Sequence, residues 1–419
     1  MTAPPRASGA TSRFLARLRP QREKLPRDIK VMLAAAFLIA LGFGLVAPVL
    51  PQFATTFGVG NTEAAVIVAI FAFMRLAFAP AGGALIGKRG ERPVYVAGLL
   101  IVAASTAACA FAQDYWQLLL FRGLGGAGSV MFTVASMALV VRLAPPKSRG
   151  RVSGAYASAF LIGNVCGPIV GGLLAGLGLR VPFLAYAGAL LVAAFVVQTQ
   201  LSHQRRGGEE AAARAPDMPF REALHAGTYR SALASSFANG WATFGVRMAT
   251  VPLFAAAAFG AGPQAAGLAL AVFAAGNAAA LTMSGRLADS LGRKPMMISG
   301  LLVAALATAA IGVTSDLPWF LAASTLAGVG SGLFGPAQQA AVADVIGNGR
   351  SGGKVLAVYQ MTSDVGAIVG PLVAGMLADG LGFGWAFGVT GGIMLLAAVG
   401  WLPTRETLRT AASQRPTVS

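Results

Sequence analysis

Residues 285–295 read Gly285-Arg286-Leu287-Ala288-Asp289-Ser290-Leu291-Gly292-Arg293-Lys294-Pro295, and residues 83–93 read Gly83-Ala84-Leu85-Ile86-Gly87-Lys88-Arg89-Gly90-Glu91-Arg92-Pro93. A shift of 202 positions superposes Gly83 on Gly285, Leu85 on Leu287, Gly90 on Gly292 and Pro93 on Pro295. The register continues outward through Gly98/Gly300, Asp114/Asp316, Gly126/Gly328 and Gly128/Gly330. One inserted residue makes the shift 203. It then pairs Val152/Val355, Tyr156/Tyr359, Gly163/Gly366, Gly167/Gly370, Pro168/Pro371 and Gly172/Gly375. The chain is two copies of one unit.

The runs around the quoted loops set the class. Of 419 residues, 56% are hydrophobic and only 11% are charged, and the mean hydropathy is +0.69. A soluble chain carries about a quarter charged residues and needs polar surface to cover its domains. Apolar runs fall at 30–53, 62–86, 93–112, 115–142, 151–175, 180–202, 229–257, 264–287, 294–313, 317–345, 353–378 and 383–403. Each is about long enough to cross a bilayer as a helix at ~1.5 Å per residue. The short alternating strands of a closed barrel do not appear, and helices satisfy their own backbone groups in lipid. The expectation is an all-α membrane protein of twelve transmembrane helices. A repeat that begins after six spans keeps its orientation, so two six-helix bundles are related by a parallel repeat.

Lys and Arg give the orientation. Of the 32, Arg180 alone falls in an outer loop, and Arg75, Arg122 and Arg247 fall inside spans. The other 28 lie on one side if both termini are cytoplasmic. The domains are then a basic cytoplasmic tail (1–28), an N-terminal bundle (29–202), a cytoplasmic linker (203–227), a C-terminal bundle (228–404) and a second tail (405–419). The first tail has no apolar stretch of the kind a cleaved signal peptide carries, and its charge suits anionic lipid. The net charge of +17 is distributed between apolar runs, so it is read as topology and not as a nucleic-acid surface. Cys109 and Cys166 lie in apolar runs and are read as packing residues.

With these residues in place, the chain resembles the major facilitator superfamily over nearly its whole length. The loop from Gly285 through Asp289 and Gly292 to Arg293 looks like that family's signature between the second and third helices of a half. Gly292 turns a short loop, Asp289 can cap a neighbouring helix N-terminus, and Arg293 and Lys294 hold the loop to the cytoplasmic side. The first copy, from Gly83 to Gly90, departs from the pattern by carrying Gly87 in place of the acid. Span 4 carries Arg122 with Gly126 and Gly128, similar to the family's motif with an intramembrane arginine. Span 5 carries Gly154, Gly163, Gly167, Pro168, Gly171 and Gly172, which looks like the signature of drug:proton antiporters. Gly163, Gly167 and Gly171 form one helix ridge, on which two helices can touch backbone to backbone. Pro168 removes a helical hydrogen bond. The second half keeps only Gly366, Gly370, Pro371 and Gly375.

Two nucleotide motifs are rejected. Gly82 to Lys88 has phosphate-loop spacing, but Arg89 stands where Ser or Thr would hold magnesium. Gly123 to Gly128 fits a dinucleotide fingerprint but lies within span 4. The two histidines, His203 and His225, lie in the linker, and no metal or cofactor is expected. Charges inside a bilayer are costly and functional by default. Here they are Arg75, Arg122, Arg247 and Asp364, the candidates for proton coupling and gating. Asp364 is the one acid placed deep in a span. Asp28 sits only at the edge of span 1, where family antiporters often carry an acid. Asn164, Asn239, Asn277, Gln338, Gln339, Tyr156 and Tyr359 are candidate cavity groups, with Met74, Met131 and Phe244 as apolar walls.

The expected function is secondary active export of small amphipathic drug-like molecules in exchange for protons, by a monomer in the plasma (bacterial inner) membrane. Alternatives are a proton-coupled metabolite carrier and a non-transporting membrane subunit. The repeat also carries a charge swap: Arg293 and Asp344 in the second half stand where the first has Glu91 and Arg142. If each pair holds its loop to the fourth helix of its bundle, Glu91→Arg with Arg142→Glu is expected to restore much of the transport that either single change loses. A double variant no better than the worse single one, at matched expression, would show that the two residues do not meet.

Overall fold

A computed structural model describes residues 26–143, 149–201, 218–260, 262–347, 350 and 352–407. Among these, twelve helical segments are long and apolar enough to cross a membrane. Span 1 is Arg27–Val46 followed, after a turn ahead of Pro51, by Leu50–Thr55. Spans 2 to 6 are Asn61–Arg89, Glu91–Ala110, Tyr115–Leu143, Arg149–Ala175 and Val181–Gln200. A short helix, Phe220–His225, precedes span 7, which runs from Gly227 to Phe259. Spans 8 to 12 are Pro263–Leu291, Arg293–Ile311, Leu317–Ile346, Gly353–Gly380 and Phe383–Gly400. The residues of the expected linker up to 217 lie outside the described residues.

Packing follows the repeat. Span 1 packs on spans 5 and 6, span 3 on spans 4 and 6, and span 2 on span 4. Span 7 packs on span 11, span 9 on spans 10 and 12, and span 8 on span 10. The bundles meet along two equivalent seams, span 2 against span 11 and span 8 against span 5. The turns between spans 2 and 3 and between spans 8 and 9 are made at Gly90 (φ +84°) and Gly292 (φ +110°), a left-handed backbone that side chains rarely adopt.

Small residues set these distances, since lipid gives helices no hydrophobic reason to associate. A methyl group added at Gly163, Gly167 or Gly171 would stand 2.7, 2.5 or 2.2 Å from the carbonyl oxygens of Phe37, Leu41 and Leu45 in span 1. The second half repeats this: Gly366 and Gly370 lie against Phe237 and Trp241 of span 7. The glycine ridge thus serves close packing in both bundles, including the one that lacks the full sequence signature.

The seams are tight at the face opposite the chain termini. There Gly172 and Pro168 touch Pro263, Gln264 and Gly267, while Gly375 touches Asn61, Thr62 and Ala65. Gln52 Nε2 donates to the Pro252 carbonyl across the bundles at 3.1 Å. Toward the terminal face, a methyl group added at Gly285 would meet nothing within 4 Å beyond its own helix, and one added at Gly82 would meet Val130 and Met131 of its own bundle. The described state is closed opposite the termini.

Gly171→Ala is expected to cost about 1–3 kcal/mol, the range for overpacking a filled site. Thermal unfolding in detergent checks this, with Gly188→Ala as the control, since nothing lies within 4 Å of Gly188. Equal melting of the two variants would refute the backbone contact.

Candidate functional site

The four charges deep in the spans form two kinds of environment. Arg75 of span 2 and Asp364 of span 11 face each other across the first seam, close enough for each to act on the other's charge. No ion pair joins them among the described residues. Asp364 Oδ1 accepts instead from Gln360 Nε2, one turn earlier, at 3.4 Å.

Arg122 and Arg247 lie on aromatic rings. The Arg122 guanidinium is 4.1 Å from the ring centre of Phe71, and that of Arg247 is 3.6 Å from the ring centre of Phe273. Both side chains are buried. Phe71 and Phe273 are equivalent in the repeat, one on the second helix of each bundle. The arginines are not equivalent: Arg122 comes from span 4, and its counterpart is Ser324.

Arg247 owes its position to an irregularity the sequence did not announce. Span 7 is α-helical over Gly227–Asn239, a π-helix over Gly240–Val246, and α-helical again over Arg247–Phe259. Before the π segment, Phe237 meets Gly366 as Phe37 meets Gly163, an offset of 200 residues. Near its end, Gly245 meets Pro371 as Gly44 meets Pro168, an offset of 201. One extra residue has been absorbed inside the helix, which is what a π bulge does, and such bulges favour functional sites.

The uncharged candidates do not converge. Gln338 is buried and donates to the Ala232 carbonyl (3.2 Å) and Ser235 Oγ (2.8 Å). It ties span 10 to span 7, because a buried amide must be satisfied where it stands. Tyr156 donates to Ser136 Oγ at 3.2 Å, tying span 5 to span 4. Asn239 accepts from Thr243 at 3.0 Å inside the π segment. The Tyr359 carbonyl accepts from Ser236. Asn164 and Asn277 are half-buried and Gln339 is exposed.

At the terminal face, Arg293 Nη1 donates to Asp289 at 2.5 Å, and Arg293 Nε lies 3.5 Å from Asp344 Oδ2. Asp289 therefore holds its own loop. The N-terminus of span 9 is capped by Glu406, which accepts from the backbone N–H groups of Arg293 (2.9 Å) and Lys294 (3.0 Å). Thr407 donates to Asp344 at 2.9 Å, so the start of the C-terminal tail is part of this cluster. Glu91 opens span 3; the side chain of Arg142 lies outside the described residues.

At the opposite face, Asp379 at the end of span 11 reaches into the other bundle. Its Oδ1 accepts from the Asn61 backbone N–H (3.1 Å) and Asn61 Nδ2 (2.8 Å). Its Oδ2 accepts from the Thr62 backbone N–H (2.8 Å) and Thr62 Oγ1 (2.5 Å). Span 2 begins after Gly60, which has no side chain to cap it, so the acid of one bundle caps a helix of the other. The repeat breaks here. Asp379 corresponds to Gly176, and Asn61 to Pro263, which has no N–H to cap.

The major facilitator superfamily profile matches residues 32–248 and again 232–418. The chain belongs to the major facilitator superfamily. It is an integral membrane transporter, not an enzyme, which sets aside a non-transporting subunit. Multidrug resistance protein 2 of Bacillus subtilis is 25% identical over 376 residues, covering 87% of this chain and 92% of that protein. The quinolone resistance protein NorA of Staphylococcus aureus is 31% identical over 177 residues, 42% of this chain. That match spans 45% of NorA, so the chain aligns with less than half of that relative's length. Among solved structures, an inward-facing bacterial homologue of the human lysosomal transporter Spinster superposes with TM-score 0.76 at 20% identity, covering 95% of this chain and all of that one. A D-xylose-proton symporter does so with TM-score 0.73 at 16% identity, covering 90% and 98%.

Asp379, Glu406, the two phenylalanine platforms and the π segment were missed in the sequence. The repeat carried a signal for two of these: an acid facing a glycine at 379 and 176, and phenylalanine at both 71 and 273. Asp379→Ala leaves two helix N–H groups uncapped, worth about 0.5–2 kcal/mol. That is roughly a two- to thirtyfold shift toward opening at this face. In a chain with Cys109 and Cys166 changed to Ala, a maleimide applied from this face is expected to label Ala65→Cys faster when Asp379 is Ala. Gln264→Ala, at the unlatched seam, is expected to change little. Unchanged labelling in the Asp379 variant would show that the cap does not hold the face closed.

Proposed function

We propose that this transporter exports small amphipathic, drug-like molecules in exchange for protons. The observation that carries this reading is Asp364, the acid deep in the spans, held across a bundle seam from Arg75 without a contact ion pair. Charged, Asp364 is attracted to Arg75 and draws spans 2 and 11 together. Protonated, it loses that attraction, and the seam relaxes. A group whose charge is coupled to a seam links proton binding to the side from which the space between bundles is open. Burial favours the neutral form and the arginine favours the charged one, so the two influences oppose each other at this carboxyl.

The substrate class is taken from the relatives, whose names refer to multidrug and quinolone resistance. Orientation follows the distribution of Lys and Arg, which puts the termini in the cytoplasm, and the export direction follows the resemblance of span 5 to drug:proton antiporters of the plasma membrane. The described state would then be the inward-facing one, with Asp379 capping span 2 at the outer face. The Arg293 cluster with Glu406 and Asp344 would stabilise the inner loop of the second bundle, and as a near-surface pair it is worth only about 0–1 kcal/mol.

Asp364→Asn is expected to abolish proton-driven uphill accumulation of a fluorescent quinolone inside inverted vesicles while leaving equilibrium binding in place. Uphill transport at the native rate in that variant would overturn the assignment of coupling to Asp364.

A further inference from the structure

The deep charges do not balance. Arg75, Arg122 and Arg247 face one deep carboxylate, Asp364, and that carboxylate lies across the seam from Arg75. Arg122 leaves one nitrogen, Nε, without a hydrogen-bond partner among the described residues. Arg247 leaves two. It is 3% exposed, and its Nε and Nη1 have no hydrogen-bond partner among the described residues. Its one named contact is the face of Phe273. A buried charge is costly unless paired. Ring stacking supplies about 2 kcal/mol or more in a desolvated site but no hydrogen-bond acceptor.

The surroundings of Arg247 point to where an acceptor would come from. Span 7 touches spans 8, 10, 11 and 12 of its own bundle and spans 1 and 2 of the other. Span 7 therefore stands at the junction of the two bundles. Phe244, one turn before Arg247 in the π segment, is 54% exposed. Asn277, one turn after Phe273 on span 8, is half-buried. Phe244 thus lies one turn from Arg247 and Asn277 one turn from its Phe273 platform, and two guanidinium nitrogens, Nε and Nη1, are buried without a hydrogen-bond partner beside a helix irregularity. A guanidinium presents its donors in a fork that matches a carboxylate, and stacking on a ring fixes the plane of that fork.

We propose that Arg247, on its Phe273 platform, binds a carboxylate carried by the transported molecule, so that aromatic monocarboxylates are preferred over their neutral analogues. The proposal rests on the transport reading above only in making the bound molecule the cargo.

The test uses a matched pair, nalidixate and its methyl ester, which differ in the carboxylate alone. Binding to the full chain in lipid nanodiscs is measured by calorimetry with no proton gradient. The acid is expected to bind at least about tenfold more tightly than the ester, the ratio that one charge-assisted hydrogen bond supplies. Arg247→Gln is expected to abolish that ratio by weakening the acid and sparing the ester. Arg247→Lys, which keeps the charge without the planar fork, is expected to retain more of the ratio than Arg247→Gln. Equal binding of acid and ester to the native chain would overturn the proposal, and that comparison needs no variant to fold. So would an unchanged ratio in Arg247→Gln. Uphill export in vesicles is scored separately. Discrimination without proton-driven export would sink the antiport reading and leave the anion site standing, and export of both compounds without discrimination would do the reverse.

Discussion

A helix in a bilayer gains little by hiding apolar surface from lipid that is equally apolar, so its contacts depend on how closely backbones can approach. In this protein that approach is set by glycine. Gly163, Gly167 and Gly171 hold span 5 on span 1, and Gly366 and Gly370 hold span 11 on span 7. With spans 5 and 11 placed this way, Gly172 and Gly375 reach the opposite bundle and form the two seams. The seams in turn set Arg75 across from Asp364 and Asp379 on the start of span 2. The meeting of the two bundles is a consequence of how little side chain these two helices carry.

On this symmetric frame the departures from symmetry are informative. Two equivalent seams close one face, and among the described residues only one carries a carboxylate cap, because proline at 263 leaves no N–H where Asn61 offers one. Two equivalent phenylalanines each support a guanidinium, but the cations arrive from span 4 in one bundle and span 7 in the other. A transporter that binds one molecule between two related halves needs chemistry that differs between them, and here the differences fall at the seam and at mid-span. The second platform exists because a π turn adds a residue to span 7 just before Arg247.

The glycine signature in span 5 reads differently beside its counterpart. Its residues contact span 1 as those of span 11 contact span 7. The physical work of the ridge is thus the same in both halves. The acid of the loop motif offers a parallel case. Asp289 has an arginine four residues on, within its own loop, and Glu406 from the tail has taken the neighbouring helix terminus.

Sequence by itself determined the features that depend on composition and period: twelve helices, two parallel halves, glycine ridges and the inventory of deep charges. Bilayer thickness fixes span length, and a repeat is visible wherever both copies keep the same residue. The Arg293–Asp344 approach was legible too, because a paired change of sign marks two positions that share a neighbourhood. Only the tertiary structure decided which polar groups are spent within a bundle, as Gln338 is on Ala232 and Ser235. It alone showed that Asp379 caps a helix 317 residues away in sequence and that span 7 absorbs a residue as a π turn. Those outcomes turn on hydrogen-bond accounting between distant segments in a medium without water, where each donor takes whatever acceptor the packing brings within reach.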